Sequence, residues 1–168
     1  MPDPIALIGL GLVGKTLITR LVPAGYAVLG YDISGAARTE AEAFGALIAA
    51  DACDAARQCP VVLLSLPDSA IVCRLFWDNG LAEALQPSAV VLDTTTGWPA
   101  HAQGNARRLA ERGVHFADVT LHRVRAVTSD DPSPTPAPPL PHRYPPTSPD
   151  LPVHGANSAG VLVAPSFR

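Results

Sequence analysis

Residues 5–14 read I-A-L-I-G-L-G-L-V-G, and this stretch decides how most of the chain is interpreted. The apolar run Ile5 to Ile8 has the length and branching of a buried parallel strand. Gly9, Gly11 and Gly14 follow with G-x-G-x-x-G spacing, directly before a stretch of helical periodicity. In such a turn the three glycines permit, in order, a tight bend, the close approach of a ligand and close packing of helix on strand. The stretch therefore predicts a pyrophosphate site at a helix N-terminus.

An acidic residue lies where a ribose would be bound. Asp32 is 18 residues after Gly14 and follows a second short apolar run, Tyr26 to Tyr31. A carboxylate there can accept hydrogen bonds from the hydroxyls of an adenosine ribose. A glycine turn alone also occurs for packing reasons, but the order strand, turn, helix, strand and acid favours a dinucleotide-binding site. The carboxylate would repel a 2'-phosphate, which favours NAD over NADP, although Arg38, six residues further on, could reach back to a phosphate.

Composition narrows the class of protein. The chain has 168 residues, enough for one domain or for one domain and a tail, and its net charge of −3 gives no reason to expect nucleic acid or an anionic membrane as a partner. It contains no membrane-spanning run, and its short N-terminal apolar run follows Asp3 rather than a basic region, so no signal peptide is predicted. The cysteines, odd in number and without C-x-x-C spacing, favour reduced thiols in a cytoplasmic protein without a metal site: Cys53, Cys59 and Cys73.

Short apolar runs alternate with helical stretches as far as residue 118. The predicted strands span residues 5–8, 27–31, 46–49, 61–66, 89–92 and 115–118, and the predicted helices residues 12–21, 36–44, 51–57, 69–76, 80–85 and 99–112. This alternation predicts an α/β fold with a Rossmann-type, doubly wound parallel sheet in the strand order 3-2-1-4-5-6. In that order the ligand crevice opens between the C-terminal ends of strands 1 and 4. The last predicted helix begins at Pro99, with Thr96 or Gly97 as its expected N-cap.

The composition changes abruptly at His122. The 47 residues from His122 to Arg168 hold eleven of the eighteen prolines and lack a sustained helix or strand periodicity. Such a stretch is predicted to be extended, polyproline-like or disordered. Its P-P-L-P-H-R run could suit a proline-recognition partner, but an accident of composition is favoured. The predicted organisation is therefore a dinucleotide-binding domain over residues 1–121 and a proline-rich tail over residues 122–168.

Residues 4–121 resemble the N-terminal cofactor domain of the beta-hydroxyacid dehydrogenase family. This family includes 3-hydroxyisobutyrate dehydrogenase, tartronate semialdehyde reductase and, more distantly, 6-phosphogluconate dehydrogenase. The resemblance rests on G-L-G-L-V-G at 9–14, A-G-Y-A-V at 24–28, Asp32, F-G-A at 44–46, L-P at 66–67 and D-T-T-T-G-W-P at 93–99. Val13 stands where the family usually has methionine, and Thr95 where it usually has serine.

The resemblance implies an NAD(P)-binding domain of an oxidoreductase that transfers hydride between a nicotinamide cofactor and a small 3-hydroxy acid. By that resemblance the backbone from Leu10 to Val13 would hold the pyrophosphate and Asp32 the ribose. Leu66 and Pro67 would lie along the middle of the cofactor, and Thr96 near the nicotinamide and the substrate. The cofactor-binding residues so predicted are Gly9, Leu10, Gly11, Leu12, Val13, Gly14, Asp32, Leu66, Pro67 and Thr96.

The resemblance ends at Leu121. The family continues with a D-A-P-V-S-G-G pattern and then an all-helical domain that carries a catalytic lysine, whereas Asp118 is followed here by V-T-L-H-R. The single lysine, Lys15, lies beside the glycine turn. Three histidines could transfer a proton by their chemistry: His101, His115 and His122. None has a position that supports this role, so the catalytic residue stays unknown.

Motif loss, the rise in proline and the missing lysine coincide at one junction. This coincidence indicates a truncated gene or a disrupted reading frame after residue 121. The alternative function is therefore a dinucleotide-binding module or remnant without turnover. A domain without its helical half is also expected to expose apolar surface, which favours self-association.

Overall fold

The computed structural model describes residues 2–121, so the predicted tail and His122 lie outside the described residues. The strands are β1 (Ile5–Ile8), β2 (Val28–Tyr31), β3 (Leu47–Ile48), β4 (Val61–Leu64), β5 (Val90–Asp93) and β6 (His115–Asp118). The helices are α1 (Leu12–Leu21), α2 (Gly35–Ala43), α3 (Ala52–Gln58), α4 (Ser69–Trp77), α5 (Leu81–Ala84) and α6 (Pro99–Ala110). Every predicted element is present, with ends displaced by at most a few residues.

All six strands form one parallel sheet in the order β3-β2-β1-β4-β5-β6. The Rossmann-type α/β fold and the predicted strand order are therefore confirmed. β3 is two residues shorter than predicted and pairs with β2 over only Leu47 and Ile48, and β4 ends at Leu64 rather than Leu66. The helix predicted to reach Arg112 ends at Ala110.

The sheet separates two apolar cores, and β1 contributes to both. Ala6 and Ile8 belong to a core with Phe76 of α4, whereas Leu7 packs in the second core with Ile18 of α1. Successive residues of a strand point to opposite faces, so a strand covered on both faces has to be apolar throughout. This explains the uninterrupted apolar run that precedes the glycine turn.

Strand register brings the ends of three strands to the same level. Ile8, the last residue of β1, lies opposite Tyr31 of β2 and Leu64 of β4. The next residues along each strand are consequently side by side at the C-terminal edge of the sheet, and Gly9 donates from its N–H to the carbonyl of Tyr31 at 2.9 Å. No helix within residues 2–121 is long and apolar enough to cross a membrane.

Candidate functional site

A cleft of about 440 Å³ opens at the C-terminal ends of β1, β2 and β4. Seven of the residues predicted from the sequence line it: Gly9, Gly11, Leu12, Val13, Asp32, Leu66 and Pro67. Three others lie elsewhere, because the Leu10 side chain and Gly14 are buried and Thr96 is exposed on the loop after β5. The predicted crevice therefore exists, whereas the role of Thr96 stays a prediction.

Two glycines of the turn are required by the packing of the protein itself. Gly9 has a φ of +97°, and a Cβ atom there would lie 2.0 Å from the backbone oxygen of Ser65. A Cβ atom on Gly14 would lie 2.2 Å from the backbone oxygen of Gly9. Both distances are far below van der Waals contact, so any side chain at these positions would push strands and helix apart.

Gly11 differs from its two neighbours in the motif. A Cβ atom at this position would meet no protein atom within 4 Å, and its φ of −67° is open to any residue. The fold therefore does not require glycine here. The space that a side chain would fill belongs to the cleft, where Gly11 is one of the lining residues.

The N-terminus of α1 is open toward the same space. Gly11 is the N-cap and provides no side-chain hydrogen bond. By contrast, α2, α3 and α4 begin with side-chain caps from Ser34, Asp51 and Asp68. The first N–H groups of an uncapped helix lack partners within the helix, and together with the helix dipole they favour an anion.

The Asp32 carboxylate is fixed at the edge of the cleft by two backbone donors. Its Oδ2 accepts from the N–H of Leu10 and its Oδ1 from the N–H of Ser34, both at 2.8 Å. The carboxylate is half-buried and lines the cleft. Because the Leu10 N–H is already bonded, the donors that remain for an anion are those at the first turn of α1.

Arg38 lies beside the same end of the cleft. Its guanidinium donates to the backbone carbonyl of Asp32 at 2.5 Å and lies 5.9 Å from the ring centroid of Tyr31. It forms no ion pair with a carboxylate among residues 2–121. A fixed positive charge therefore accompanies the Asp32 carboxylate at this end.

Residues 4–122 match the family model described as the NAD binding domain of 6-phosphogluconate dehydrogenase. The chain belongs to this family. The resemblance to beta-hydroxyacid dehydrogenases that the motifs predicted is thereby confirmed, as is the binding of a nicotinamide dinucleotide. The predicted domain boundary, the cytoplasmic location and self-association stay predictions.

Curated relatives and solved structures agree with this family. The chain is 29% identical over 123 residues to 3-sulfolactaldehyde reductase of Escherichia coli, covering 73% of this chain and 41% of that one. It is 36% identical over 118 residues to NAD-dependent L-serine dehydrogenase of Pseudomonas aeruginosa, covering 70% and 40%. The Mycobacterium tuberculosis 3-hydroxyisobutyrate dehydrogenase structure with L-serine superposes with a TM-score of 0.68 at 28% identity, covering 71% and 40%. The chain thus spans about two fifths of the length of these family members.

The loop after β5, which carries the threonine run of residues 94–96, differs from expectation at its end. The N-cap of α6 is Trp98, without a side-chain cap, so the prediction of Thr96 or Gly97 as the cap was wrong. Pro99 does occupy the first turn. The N–H of Trp98 donates instead to Ser69 Oγ at 3.0 Å, a residue of another helix. This bond fixes the residue before α6 and does not cap the helix, because the N–H groups that a cap satisfies belong to its first turn.

Asp93, the residue before this threonine run, is a buried carboxylate. Its Oδ1 accepts from the N–H of Thr95 at 2.9 Å. Burial raises the pKa of Asp93, hydrogen bonds from Thr95 oppose that rise, and the charge of Asp118 on β6 adds to it. These contacts account for Asp93 as a residue that fixes the loop, and it does not line the cleft.

The candidate proton-transfer residues lie outside the cleft lining. His101 is on α6 with its Nδ1 2.9 Å from Ser69 Oγ, and His115 is exposed on β6. Lys15 forms an ion pair with Glu40 of α2. Within residues 2–121 no group of three His, Cys, Asp or Glu side chains could hold a metal ion.

Sequence reasoning missed the contact between Ser69 and His101. The two residues are 32 positions apart, on different helices, and neither belongs to a motif that the sequence analysis used. Two further residues of the cleft lining were not predicted from the sequence, Ile33 and Ser65. Ile33 directly follows Asp32, and Ser65 directly precedes Leu66. For these two, proximity to Asp32 and Leu66 was the available signal.

Proposed function

We propose that the cleft binds the dinucleotide with its pyrophosphate at the first turn of α1 and its adenosine ribose at Asp32. The observation that carries this proposal is Gly11, a glycine that neither its backbone angle nor its packing requires. A ligand that approaches the backbone closely supplies the missing reason, because any side chain would occupy its place. Leu66 and Pro67 then border the middle of the ligand from the opposite wall.

Apolar side chains at the rim support the same occupant. Leu12 and Ile33 are 84% and 90% exposed, and both line the cleft. Ligand sites are mostly apolar with a few fixed polar groups, and a bound dinucleotide covers apolar side chains that otherwise face water. Asp32 and the first turn of α1 are the fixed polar groups.

NAD is the proposed cofactor in preference to NADP. Both oxygens of the Asp32 carboxylate are held by backbone donors, so the carboxylate cannot easily turn away from a 2'-phosphate. Arg38 opposes this effect, but its guanidinium is engaged by the backbone carbonyl of Asp32. The relative from Pseudomonas aeruginosa is named NAD-dependent, which agrees with this preference.

The proposed reaction is hydride transfer between the nicotinamide and a small 3-hydroxy acid, in a protein completed by a C-terminal domain. The nicotinamide supplies the hydride acceptor or donor, and the residues of this chain bind and orient it. Thr96 is proposed to lie near the nicotinamide and the substrate. The proton of the substrate hydroxyl requires a further group, for which the cleft lining within residues 2–121 offers no histidine or lysine.

Calorimetric titration of the full chain with NAD and with NADP tests the binding proposal. We expect tighter binding of NAD, and Asp32→Asn should weaken NAD by about tenfold while NADP binding is kept or improved. Asp78→Asn removes the same charge from an exposed position outside the cleft lining and should change neither affinity. Tighter binding of NADP than of NAD by the unmodified chain would contradict the preference.

A binding module without turnover is the second candidate. It is favoured by the absence of histidine and lysine from the cleft lining described for residues 2–121. Incubation of the chain with NAD and a panel of small 3-hydroxy acids separates the two candidates. Formation of reduced nicotinamide would exclude the module, whereas binding without reduction would support it.

A further inference from the structure

Two loops at the cleft side of the sheet are joined by hydrogen bonds. The loop after β4 begins beyond Leu64, whose carbonyl accepts from Thr94 Oγ1 at 2.8 Å and from the Thr94 N–H at 2.9 Å. The N–H of Leu66 donates to Thr95 Oγ1 at 3.1 Å. Since Leu66 lines the cleft and Thr95 does not, one wall of the cleft is supported from behind by the loop after β5.

A second set of contacts continues this support from Ser69, two residues beyond the cleft-lining Pro67. Ser69 Oγ accepts from the N–H of Trp98 at 3.0 Å and lies 2.9 Å from His101 Nδ1. A serine hydroxyl has one proton and two acceptor lone pairs, so Oγ accepts from the N–H of Trp98 and can still form a second hydrogen bond with His101. The direction of that second bond follows the tautomer of the imidazole.

Ser69 is packed closely against Gly97 of the loop after β5. Ser69 is only 7% exposed. A Cβ atom on Gly97 would lie 2.2 Å from Ser69 Cβ and 2.3 Å from Ser69 Oγ, and the φ of Gly97 lies outside the left-handed region. Gly97 is thus required for space rather than for its backbone angle. The loop after β5 therefore fits against α4 only with glycine at 97 and a small side chain at 69.

We propose that Ser69 and His101 are positioning residues of the dinucleotide site. They hold the loop of residues 94–98 against the N-terminus of α4, and this loop holds the wall of the cleft formed by residues 65–67. The inference rests on the proposed function, since the wall matters to affinity only if the dinucleotide occupies the cleft. Neither residue lines the cleft.

The test uses the full chain with Ser69→Ala, His101→Leu and His101→Asn. Asparagine can place an amide oxygen or nitrogen near the position of Nδ1 and so can keep a hydrogen bond with Ser69, which leucine cannot. We expect Ser69→Ala and His101→Leu to weaken dinucleotide binding about fivefold, the factor that corresponds to one hydrogen bond. His101→Asn should bind within about twofold of the unmodified chain. His115→Leu, on exposed β6, is the matched control and should leave affinity unchanged.

Hydrogen exchange at the Trp98 amide directly reports the contact between the loop of residues 94–98 and α4, because this N–H donates to Ser69 Oγ. Exchange should be faster in Ser69→Ala and His101→Leu, and close to normal in His101→Asn. A loss of thermal stability with unchanged affinity in Ser69→Ala and His101→Leu would overturn the positioning role. Equal weakening by His101→Asn and His101→Leu would overturn the role of the hydrogen bond between His101 and Ser69. If the unmodified chain binds no dinucleotide, the proposed function fails and this inference fails with it, whereas the other outcomes leave the proposed function intact.

Discussion

The glycine turn and the loops after β4 and β5 lie at the same edge of the sheet, but they differ in how far their polar groups are hydrogen-bonded within the protein. At the glycine turn α1 begins without a side-chain cap and the space beside Gly11 is empty. In the loops, Asp68 caps α4, and Ser69 bonds both Trp98 and His101. The first turn of α1 therefore keeps backbone donors that an anion can use, whereas these polar groups of the loops are bonded to one another and hold the loops together.

The same contrast separates the glycines of the turn. A Cβ atom on Gly9 or Gly14 would lie 2.0 Å or 2.2 Å from a backbone oxygen, whereas one on Gly11 would meet no protein atom within 4 Å. The motif therefore combines two structural requirements with one that a ligand explains. Substitutions at each position can break this division or sharpen it.

Gly9→Ala should have the largest effect on stability. The new Cβ atom would overlap the backbone oxygen of Ser65, and the φ of +97° adds strain, so we expect a loss on the order of 4 kcal/mol in the free energy of unfolding. Gly25→Ala is the control, because Gly25 has a φ of +90° but open space around it. Urea unfolding should show a loss of only about 1 kcal/mol for Gly25→Ala. Equal losses in the two variants would show that strain alone, without overlap, governs Gly9.

Gly11→Asp should separate binding from stability. The aspartate can cap α1, so the free energy of unfolding should be unchanged or rise by up to about 1 kcal/mol. Its side chain and charge would occupy the pyrophosphate position, and we expect the dissociation constant for NAD to rise by about 100-fold or more, or ~2.7 kcal/mol. Gly11→Asn has nearly the same shape without the charge, and measures the steric part. Unimpaired NAD binding by both variants would remove Gly11 from the site.

Gly97→Ala tests the contact between the loop after β5 and Ser69. Its methyl group would overlap the Ser69 side chain, so we expect a loss of about 1–3 kcal/mol in urea unfolding. Gly104→Ala, in α6 with open space around it, is the control and should gain about 0.5–1 kcal/mol from helix propensity. A loss in both variants would show that α6, rather than the contact with Ser69, is sensitive to substitution.

Asp93→Asn should have the smallest effect, and one that depends on pH. Burial raises the pKa of Asp93 in the folded state above its ordinary value of 3.8, so the folded protein holds this proton more tightly than the unfolded chain does. The contribution of Asp93 to stability therefore falls as pH rises through this range. Asp93→Asn lacks this term, so its stability relative to the unmodified chain should be highest near pH 7 and should decline toward about pH 4. Parallel stability curves for the two proteins would contradict the raised pKa.

The sheet and the cleft were predictable because local patterns encode them. The apolar run of β1, the glycine turn and Asp32 lie within 28 residues of sequence, and each has a physical reason that holds without knowledge of the rest. The alternation of elements predicted a parallel sheet, and the strand order is the one typical of the dinucleotide-binding fold that the glycine turn and Asp32 indicate. The short extent of β3 was less predictable, since only Leu47 and Ile48 pair with β2.

The contacts between the loops were not predictable from local patterns. Thr96 or Gly97 was expected to be the N-cap of α6, but the N-cap is Trp98. The N–H of Trp98 donates to Ser69, 29 positions earlier. Ser69 and His101 are unremarkable residues in sequence, and only the packing of α4 against α6 brings them within hydrogen-bonding distance. Sequence motifs identified residues that line the cleft, whereas the tertiary structure was needed to identify the contacts that hold its wall in place.

The bond from the Leu10 N–H to Asp32 connects the conformation of the glycine turn to the residue proposed to bind the ribose. A substitution at position 32 that is made to change cofactor preference would therefore also change a hydrogen bond of the turn. Only a side chain that still accepts from the Leu10 N–H would separate the two effects.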